Sequence, residues 1–172
     1  ENKKITGAVI KDVSENGNEI TYEIETDILI LAIGHSSRDT FYMLNDRKIN
    51  MERKIFPVGA RIEHRQSMIN ESQYGKFSNM LPAAEYKLSA KASDGRGVYT
   101  FCMCPGGVVV PSASEEGRLV VNGMSYSKRD LENSNSAILV NVYPEDFEGE
   151  NVLAGIEFQR ELEKKAFELG GE

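Results

Sequence analysis

The sequence lacks the features of membrane-spanning and nucleic-acid-binding proteins. No apolar run approaches the ~20 residues that a membrane-spanning helix needs, and the longest, residues 28–33, is only long enough for a strand. No signal-peptide pattern opens the chain. Its 20 Lys and Arg residues are outnumbered by 27 Asp and Glu, which gives a net charge of -7, whereas binding to phosphates needs a basic surface. We therefore expect a cytoplasmic protein with neither nucleic acid nor a membrane as its partner.

Cysteine is scarce as well, because the chain has only Cys102 and Cys104. Two cysteines cannot build a disulfide scaffold, and their number suits a reducing compartment. A structural zinc site needs four ligands, and the only histidines, His35 and His64, form no matching pair. No metal site is expected. On a strand both thiols would point to one face, where they would most often act as small apolar side chains; a redox role is left open, although no CxxC spacing supports it.

The first third of the chain has the pattern of strands. Alternating apolar residues flank residues 14–18, where Asn16 and Gly17 favour a hairpin turn because both tolerate positive φ. The segment "DILILAIG", residues 27–34, is apolar without alternation, which predicts a strand buried on both faces. Ser36 or Ser37 could cap the short helix that follows.

The rest of the chain predicts a mixture of strands and helices, hence an α+β fold with an antiparallel or mixed sheet and a few flanking helices. "KIFPVGARIEH" predicts a strand pair, and "GVYTFCMC", "VVVPSAS" and "RLVVNGMS" a meander of three. Between them, residues 66–97 are expected to form loops with short helical pieces. "SKRDLENSNSAILVNV" predicts a second helix that ends in an apolar segment, which could be a strand. The last helix should begin at Asn151 and end at Gly170, with Phe158, Leu162 and Leu169 on one apolar face.

The chain has no recognisable catalytic motif. It contains no Walker loop, HExxH or GxGxxG, and no Ser/His/Asp set or carboxylate pair can be argued from spacing. The catalytic residues are therefore unknown, and the weak candidates are Arg61, His64, Cys102 and Cys104. On a strand, Arg61 and Glu63 share one face and His64 points to the other, so these side chains form no single cluster by themselves.

Small residues at two places would suit a bulky ligand. Ala32 and Gly34 end an apolar strand, and Gly106 and Gly107 join two predicted strands, so the backbone could approach a planar or phosphorylated group. From the local pattern alone, an ordinary strand end and a plain hairpin turn are the commoner explanations.

Several stretches, in order from about residue 7 to the end of the chain, resemble one bacterial family: "ILAIGHSSRDTFYML", "GRGVYTFCMCPGG", "NGMSYSKRD" and "LAGIEFQRELEKKAF". The sequence resembles the FAD-dependent dehydrogenases described as uncharacterised NAD(FAD)-utilising dehydrogenases. The resemblance implies a fragment of a flavoprotein of the two-dinucleotide-binding type, without its N-terminal GxGxxG. Residues 1–34 would be a remnant of the FAD-binding domain, formed by a hairpin and a buried strand. Residues 35–172 would be an inserted substrate or cap domain with a C-terminal helix.

The resemblance also implies a cofactor and a set of contacts. FAD would be bound by the full-length parent and not by this fragment, which would be inactive alone. The residues implied on the cofactor side are Ala32, Gly34, His35, Gly106 and Gly107. The substrate would be an unknown small molecule, with NAD(P)H as a further partner, and an exposed apolar face would let the fragment self-associate. The alternative is a non-catalytic domain that binds a ligand or a protein.

Overall fold

A computed structural model describes residues 4–14 and 16–171. It is an α+β structure with antiparallel sheets and three α-helices, which confirms the predicted fold class. The chain divides into two compact units, one ending at Ser37 and the other beginning at Arg38. The assignment of residues 1–34 to an FAD-binding domain and of 35–172 to a substrate domain stays a prediction. None of the described helices is long and apolar enough to cross a membrane.

The first unit contains the predicted hairpin. Strands β1 (Gly7–Val13) and β2 (Glu19–Glu25) pair antiparallel in a continuous register. The Ser14 amide donates to the carbonyl of Asn18 at 2.9 Å, and Gly17 has a φ of 76°. The turn predicted from Asn16 and Gly17 is therefore confirmed, while its Glu15 lies outside the described residues.

The buried strand predicted for residues 27–34 is wrong for this structure. These residues form no strand with any described part of the chain, and Ile28 and Ile30 are 72% and 83% exposed. A strand buried on both faces needs hydrogen-bonded neighbours at its edges and a covering layer on each side. The register of β1 and β2 ends at the Gly7–Glu25 pair, and the described residues supply no further strand for this segment.

The second unit is built on one four-stranded antiparallel sheet and one two-stranded sheet. The larger sheet has the order β3-β8-β5-β4, and the smaller consists of β6 and β7. The elements, in chain order, are α1 (Arg38–Asp46), β3 (Phe56–Arg65), α2 (Gln66–Tyr74) with a 3₁₀ turn (Gly75–Phe77), β4 (Ser89–Lys91), β5 (Gly97–Cys104), β6 (Gly107–Pro111), β7 (Val121–Ser125), β8 (Asn133–Val142) and α3 (Ala154–Gly170).

Three predictions of local structure need correction. The predicted strand pair at β3 is one ten-residue strand. The predicted meander is split, because β5 pairs with β4 and β8 whereas β6 pairs with β7. The predicted second helix is absent from the described chain: residues 127–132 form turns and bends, and residues 133–142 form β8. Strand β8 is hydrogen-bonded to β3 on one side and to β5 on the other. This pairing between distant parts of the chain outweighs the weak preference of its polar residues for a strand.

Helix α3 packs its first turns against the larger sheet. The rings of Phe56, Phe147 and Phe158 lie with centroids 5.8–6.3 Å apart, and a Cβ on Gly155 would stand 3.0 Å from the Phe56 ring. The apolar face predicted for the helix is only partly correct, since Leu169 at its far end is 88% exposed.

Both ends of α3 lie close to the residues predicted from the sequence but not at them. Asn151 Oδ1 accepts the amide of Leu153 at 2.9 Å, but Leu153 is the residue at the start of the helix and no side chain of the described residues caps it, so the prediction that Asn151 caps α3 is wrong. The left-handed residue that ends the helix is Gly171, with a φ of 96°, rather than Gly170 as predicted.

A buried arginine joins α1 to α3. Arg38 is only 7% exposed and donates to Glu163 at 2.6 Å and to Glu115 at 3.1 Å. Glu115 also accepts from Arg160 at 2.7 Å and Arg118 at 2.8 Å. Hydrogen bonds from Arg160, together with the charge of Arg38, lower the pKa of Glu115 to about 2. This cluster is a structural support for the second unit.

Candidate functional site

Strands β3, β8 and β5 of the larger sheet bring polar and apolar side chains together on one face. Arg61 on β3 and Phe101 on β5 both pair with Ala137 on β8. Directly opposed residues share a face of a sheet, so these three form one row. In the next row on the same face, Asn135 pairs with both Glu63 and Cys104. We call the face formed by Arg61, Phe101, Asn122, Gly123, Asn135 and Ala137 the Arg61 surface.

The Arg61 guanidinium is held only by neutral acceptors. Its Nη1 donates to Asn135 Oδ1 at 2.7 Å and to the carbonyl of Cys102 at 3.0 Å, and its Nη2 reaches Asn122 Oδ1 at 3.4 Å. The side chain is half-buried, and within residues 4–14 and 16–171 no carboxylate forms an ion pair with it. Its positive charge therefore has no counter-charge in direct contact in the described chain.

The side chain of Asn135 is fully buried, and only one of its two polar atoms has a hydrogen-bond partner in the described chain. Its side chain accepts from Arg61, which fixes Oδ1 toward the guanidinium because a guanidinium can only donate. Its Nδ2 has no hydrogen-bond acceptor among the described residues. A buried donor without an acceptor costs on the order of 1–3 kcal/mol, so Asn135 presents an unmet donor beside an unpaired cation.

Gly123 makes room for this pair of side chains. A Cβ at Gly123 would lie 2.2 Å from Asn135 Oδ1 and 2.3 Å from Arg61 Nη1. Gly123 is on β7 of the smaller sheet. Arg61 and Asn135 thus lie where a side chain from β7 would otherwise be, and the missing Cβ is required for their contact.

A β-bulge separates the two cysteines. The register of β5 against β8 breaks between Phe101 and Cys104, and Cys102 adopts a φ of 46°, which is rare for a residue other than glycine. Cys102 is exposed and Cys104 buried. The expectation that both thiols lie on one face of a regular strand is therefore wrong, because the extra residue of a bulge changes the alternation. The same bulge directs the Cys102 carbonyl toward Arg61.

Gly106 and Gly107 are packed against protein backbone. A Cβ at Gly106, whose φ is 48°, would lie 2.0 Å from the carbonyl oxygen of Arg129, and one at Gly107 would lie 2.3 Å from that of Met124. The Gly106 amide donates to the buried side chain of Gln66 at 2.7 Å. The fold thus explains both glycines without a ligand, and their contact with a cofactor stays a prediction.

His64 lies on the opposite face of the sheet from Arg61, as the alternation of β3 predicts. Its Nδ1 donates to the carbonyl of Ser134 at 2.9 Å, since a carbonyl can only accept, and its Nε2 lies 2.8 Å from the hydroxyl of Tyr86. Burial raises the pKa of that hydroxyl. Because Arg61 and His64 are on different faces, they cannot hold the same substrate group.

Comparison with known proteins places these features in a family. A sequence model described as "FAD-dependent protein, C-terminal domain-like" matches residues 55–172, more than half of the chain. The chain belongs to this FAD-dependent family. An uncharacterized protein of Clostridium beijerinckii is 55% identical over 165 residues, which cover 94% of this chain and 30% of that protein. The chain thus spans about 30% of the length of its relative.

The FAD-dependent C-terminal domain region contains only part of the predicted site. Arg61, His64, Cys102, Cys104, Gly106 and Gly107 lie within the matched residues 55–172. Ala32, Gly34 and His35 precede them and are exposed in the first unit. Gly34 has a φ of 71°, and a Cβ there would meet nothing within 4 Å. The structure places these three residues in a different unit from the remaining candidates.

Sequence reasoning missed the residues that organise this FAD-dependent domain. Asn135 and Gln66 are both buried polar side chains whose partners are distant in sequence. The sequence of "ENSNSAILVNV" predicts a partly helical segment, and that prediction assigns Asn135 to no face of a strand. The signal that could have identified it is the polar run "NSNS" within an otherwise apolar strand, since buried polar residues in a strand need specific partners.

Proposed function

We propose that this chain is the substrate-side domain of an FAD-dependent oxidoreductase, within a longer protein that uses NAD(P)H or an organic substrate as the hydride donor. The observation that carries the proposal is the Arg61 surface, a half-buried cation with neutral partners in a domain of an FAD-dependent family. Such a domain binds and orients a substrate, while hydride chemistry is supplied by the flavin. Dehydrogenase activity is the class that best agrees with the sequence resemblance.

The described residues do not themselves fit FAD. A pyrophosphate cradle needs backbone amides at a glycine-rich loop and a helix start, yet the sequence has no GxGxxG. The amide of Gly106 is taken by Gln66, and the spaces beside Gly106 and Gly107 are filled by backbone. We propose that the longer protein holds FAD and that the isolated chain neither retains it nor is active. Ala32, Gly34 and His35 remain the proposed contacts on the cofactor side.

The weak catalytic candidates have unequal support. His64 is occupied on both ring nitrogens by Ser134 and Tyr86, and Cys104 is buried. Cys102 is exposed, but a flavin does not require a thiol for hydride transfer. Arg61 is therefore the residue to which we assign a role, which is to bind an anionic substrate group.

The test is to purify the longer protein that contains this sequence, denature it and quantify the released flavin. We expect about one FAD per chain, with reduction of the bound flavin by NADH or NADPH. The control is the 172-residue chain treated in the same way, which should release none. Absence of flavin from the longer protein, even after incubation with FAD, would contradict the proposal.

The second candidate is a non-catalytic domain that binds a ligand. It is favoured by one observation: in the described residues the Arg61 surface brings no acid–base pair together, since His64 is on the other face. A longer protein that releases no flavin on denaturation, even after incubation with FAD, would favour this candidate.

A further inference from the structure

We infer that the Arg61 surface is a carboxylate-binding site, and that its ligand is a small organic monocarboxylate with an apolar body. Calling this ligand a substrate rests on the proposed function, whereas the binding itself does not. The inference depends on three features: an arginine without a contacting counter-charge, a buried amide donor without an acceptor, and an exposed aromatic ring in the same row as the arginine.

The two donors suit a carboxylate. Arg61 Nη1 is occupied by Asn135 and the Cys102 carbonyl, whereas Nη2 has only the 3.4 Å contact to Asn122. Arginine can present a fork of N–H groups to the two oxygens of a carboxylate. The Asn135 Nδ2 adds a second donor, in the same amide group whose Oδ1 accepts from Arg61. Because Nδ2 is buried, a ligand oxygen reaches it only when the surrounding side chains move aside, and that oxygen would then satisfy the donor.

The charges on the Arg61 surface favour a ligand with one negative charge over a ligand with two. Arg61 is the single cation of the surface, and Glu63 lies in the neighbouring row on the same face. Glu63 is exposed and accepts from the neutral side chain of Asn133, and within the described residues no ion pair neutralises its charge. A phosphate dianion would leave one charge uncompensated near Glu63, whereas a carboxylate matches the guanidinium.

The apolar part of the ligand has a place on the same row. Phe101 is 57% exposed and lies across Ala137 from Arg61. An exposed ring beside a small residue gives a flat apolar surface for a planar or aliphatic group. Benzoate combines such a body with one carboxylate and is the probe that we choose.

The test is titration of the 15N-labelled 172-residue chain with benzoate, followed by 1H–15N correlation spectra. Saturable shifts are expected for the Asn135 side-chain NH₂ and for the backbone amides of Cys102 and Ala137. Arg61→Gln should raise the dissociation constant at least about tenfold, since a charged hydrogen bond is lost. Arg61→Lys should bind with intermediate affinity. Arg53→Gln is the matched control, because Arg53 donates to backbone carbonyls away from this surface.

A second variant keeps the inference testable if Arg61→Gln does not fold. Asn135→Asp is nearly isosteric and gives Arg61 an internal carboxylate, so the variant should fold and lose benzoate binding. Benzamide, which has the same shape without the charge, and inorganic phosphate should cause much smaller shifts than benzoate.

Three results would overturn the inference: no saturable shift with benzoate, equal affinity in Asn135→Asp, or equal effects of benzamide and benzoate. Shifts by phosphate as large as those by benzoate would refute the monocarboxylate class. None of these results depends on FAD, so a flavin-free longer protein and a chain that does not bind benzoate are separate outcomes.

Discussion

At the scale of single residues, the second unit is stabilised by charged groups that lie far apart in the sequence and close together in the fold. Arg38, Glu115 and Glu163 are 48 or more positions apart, yet they form one partly buried network. Buried arginine is stable only when its donors are satisfied. Here Glu163 supplies two acceptor oxygens and Glu115 a third.

Glu115→Gln should make the free energy of unfolding of the second unit depend less on pH below pH 4.5. The pKa of Glu115 is lowered from 4.5 to about 2 by its arginine partners. Its contribution is therefore complete above pH 4.5 and is lost as the pH falls from 4.5 toward 2. We expect the variant to be less stable at pH 6 by about 1–2 kcal/mol, after allowance for solvent screening. Urea unfolding from pH 6 to pH 3 measures the difference.

The control for this prediction is Glu116→Gln, which removes an exposed neighbouring charge that forms no ion pair in the described chain. Its stability should follow that of the unmodified chain at every pH. If the difference in free energy of unfolding between Glu115→Gln and the unmodified chain stayed constant down to pH 3, the ionisation of Glu115 would not be the cause of that difference.

At the scale of elements, the turn that joins β5 to β6 is required by the fold. Gly106→Ala places a Cβ 2.0 Å from the carbonyl of Arg129 at a φ of 48°. We expect a loss of about 3 kcal/mol, from left-handed strain and a forced backbone shift together. Gly95→Ala is the matched control: its φ is 86°, but a Cβ there meets nothing within 4 Å, so it should cost only about 1 kcal/mol. Urea midpoints give both values, and equal losses would refute the packing argument.

The elements also show which parts of the fold could be predicted from sequence. The β1–β2 hairpin and helix α3 are predictable from the sequence because the turn residues of the one and the apolar spacing of the other lie within or next to the elements themselves. The split of β5 from β6 and the central position of β8 were missed, since both depend on pairing between distant strands. Arg61 was singled out by type, but its site depends on Asn135, 74 positions away.

At the scale of the whole molecule, the exposed apolar segment at 28–31 predicts self-association. Ile28, Leu29, Ile30 and Leu31 are each at least 50% exposed, and apolar side chains contiguous in this way tend to bind partners. We expect the 172-residue chain to form dimers or larger species as its concentration rises, which sedimentation velocity measures. Ile30→Lys should shift the distribution toward monomer, because a charge would have to be desolvated in the contact.

Leu169→Lys is the control for this prediction, because Leu169 is 88% exposed near the end of α3 and apart in sequence from residues 28–31. If Leu169→Lys dissociates the species as well as Ile30→Lys does, the contact involves α3 instead. A chain that stays monomeric over the whole concentration range would refute the prediction. Disruption by Ile30→Lys alone would assign the contact to residues 28–31, and the apolar run that fails to form a buried strand would then be the surface through which copies meet.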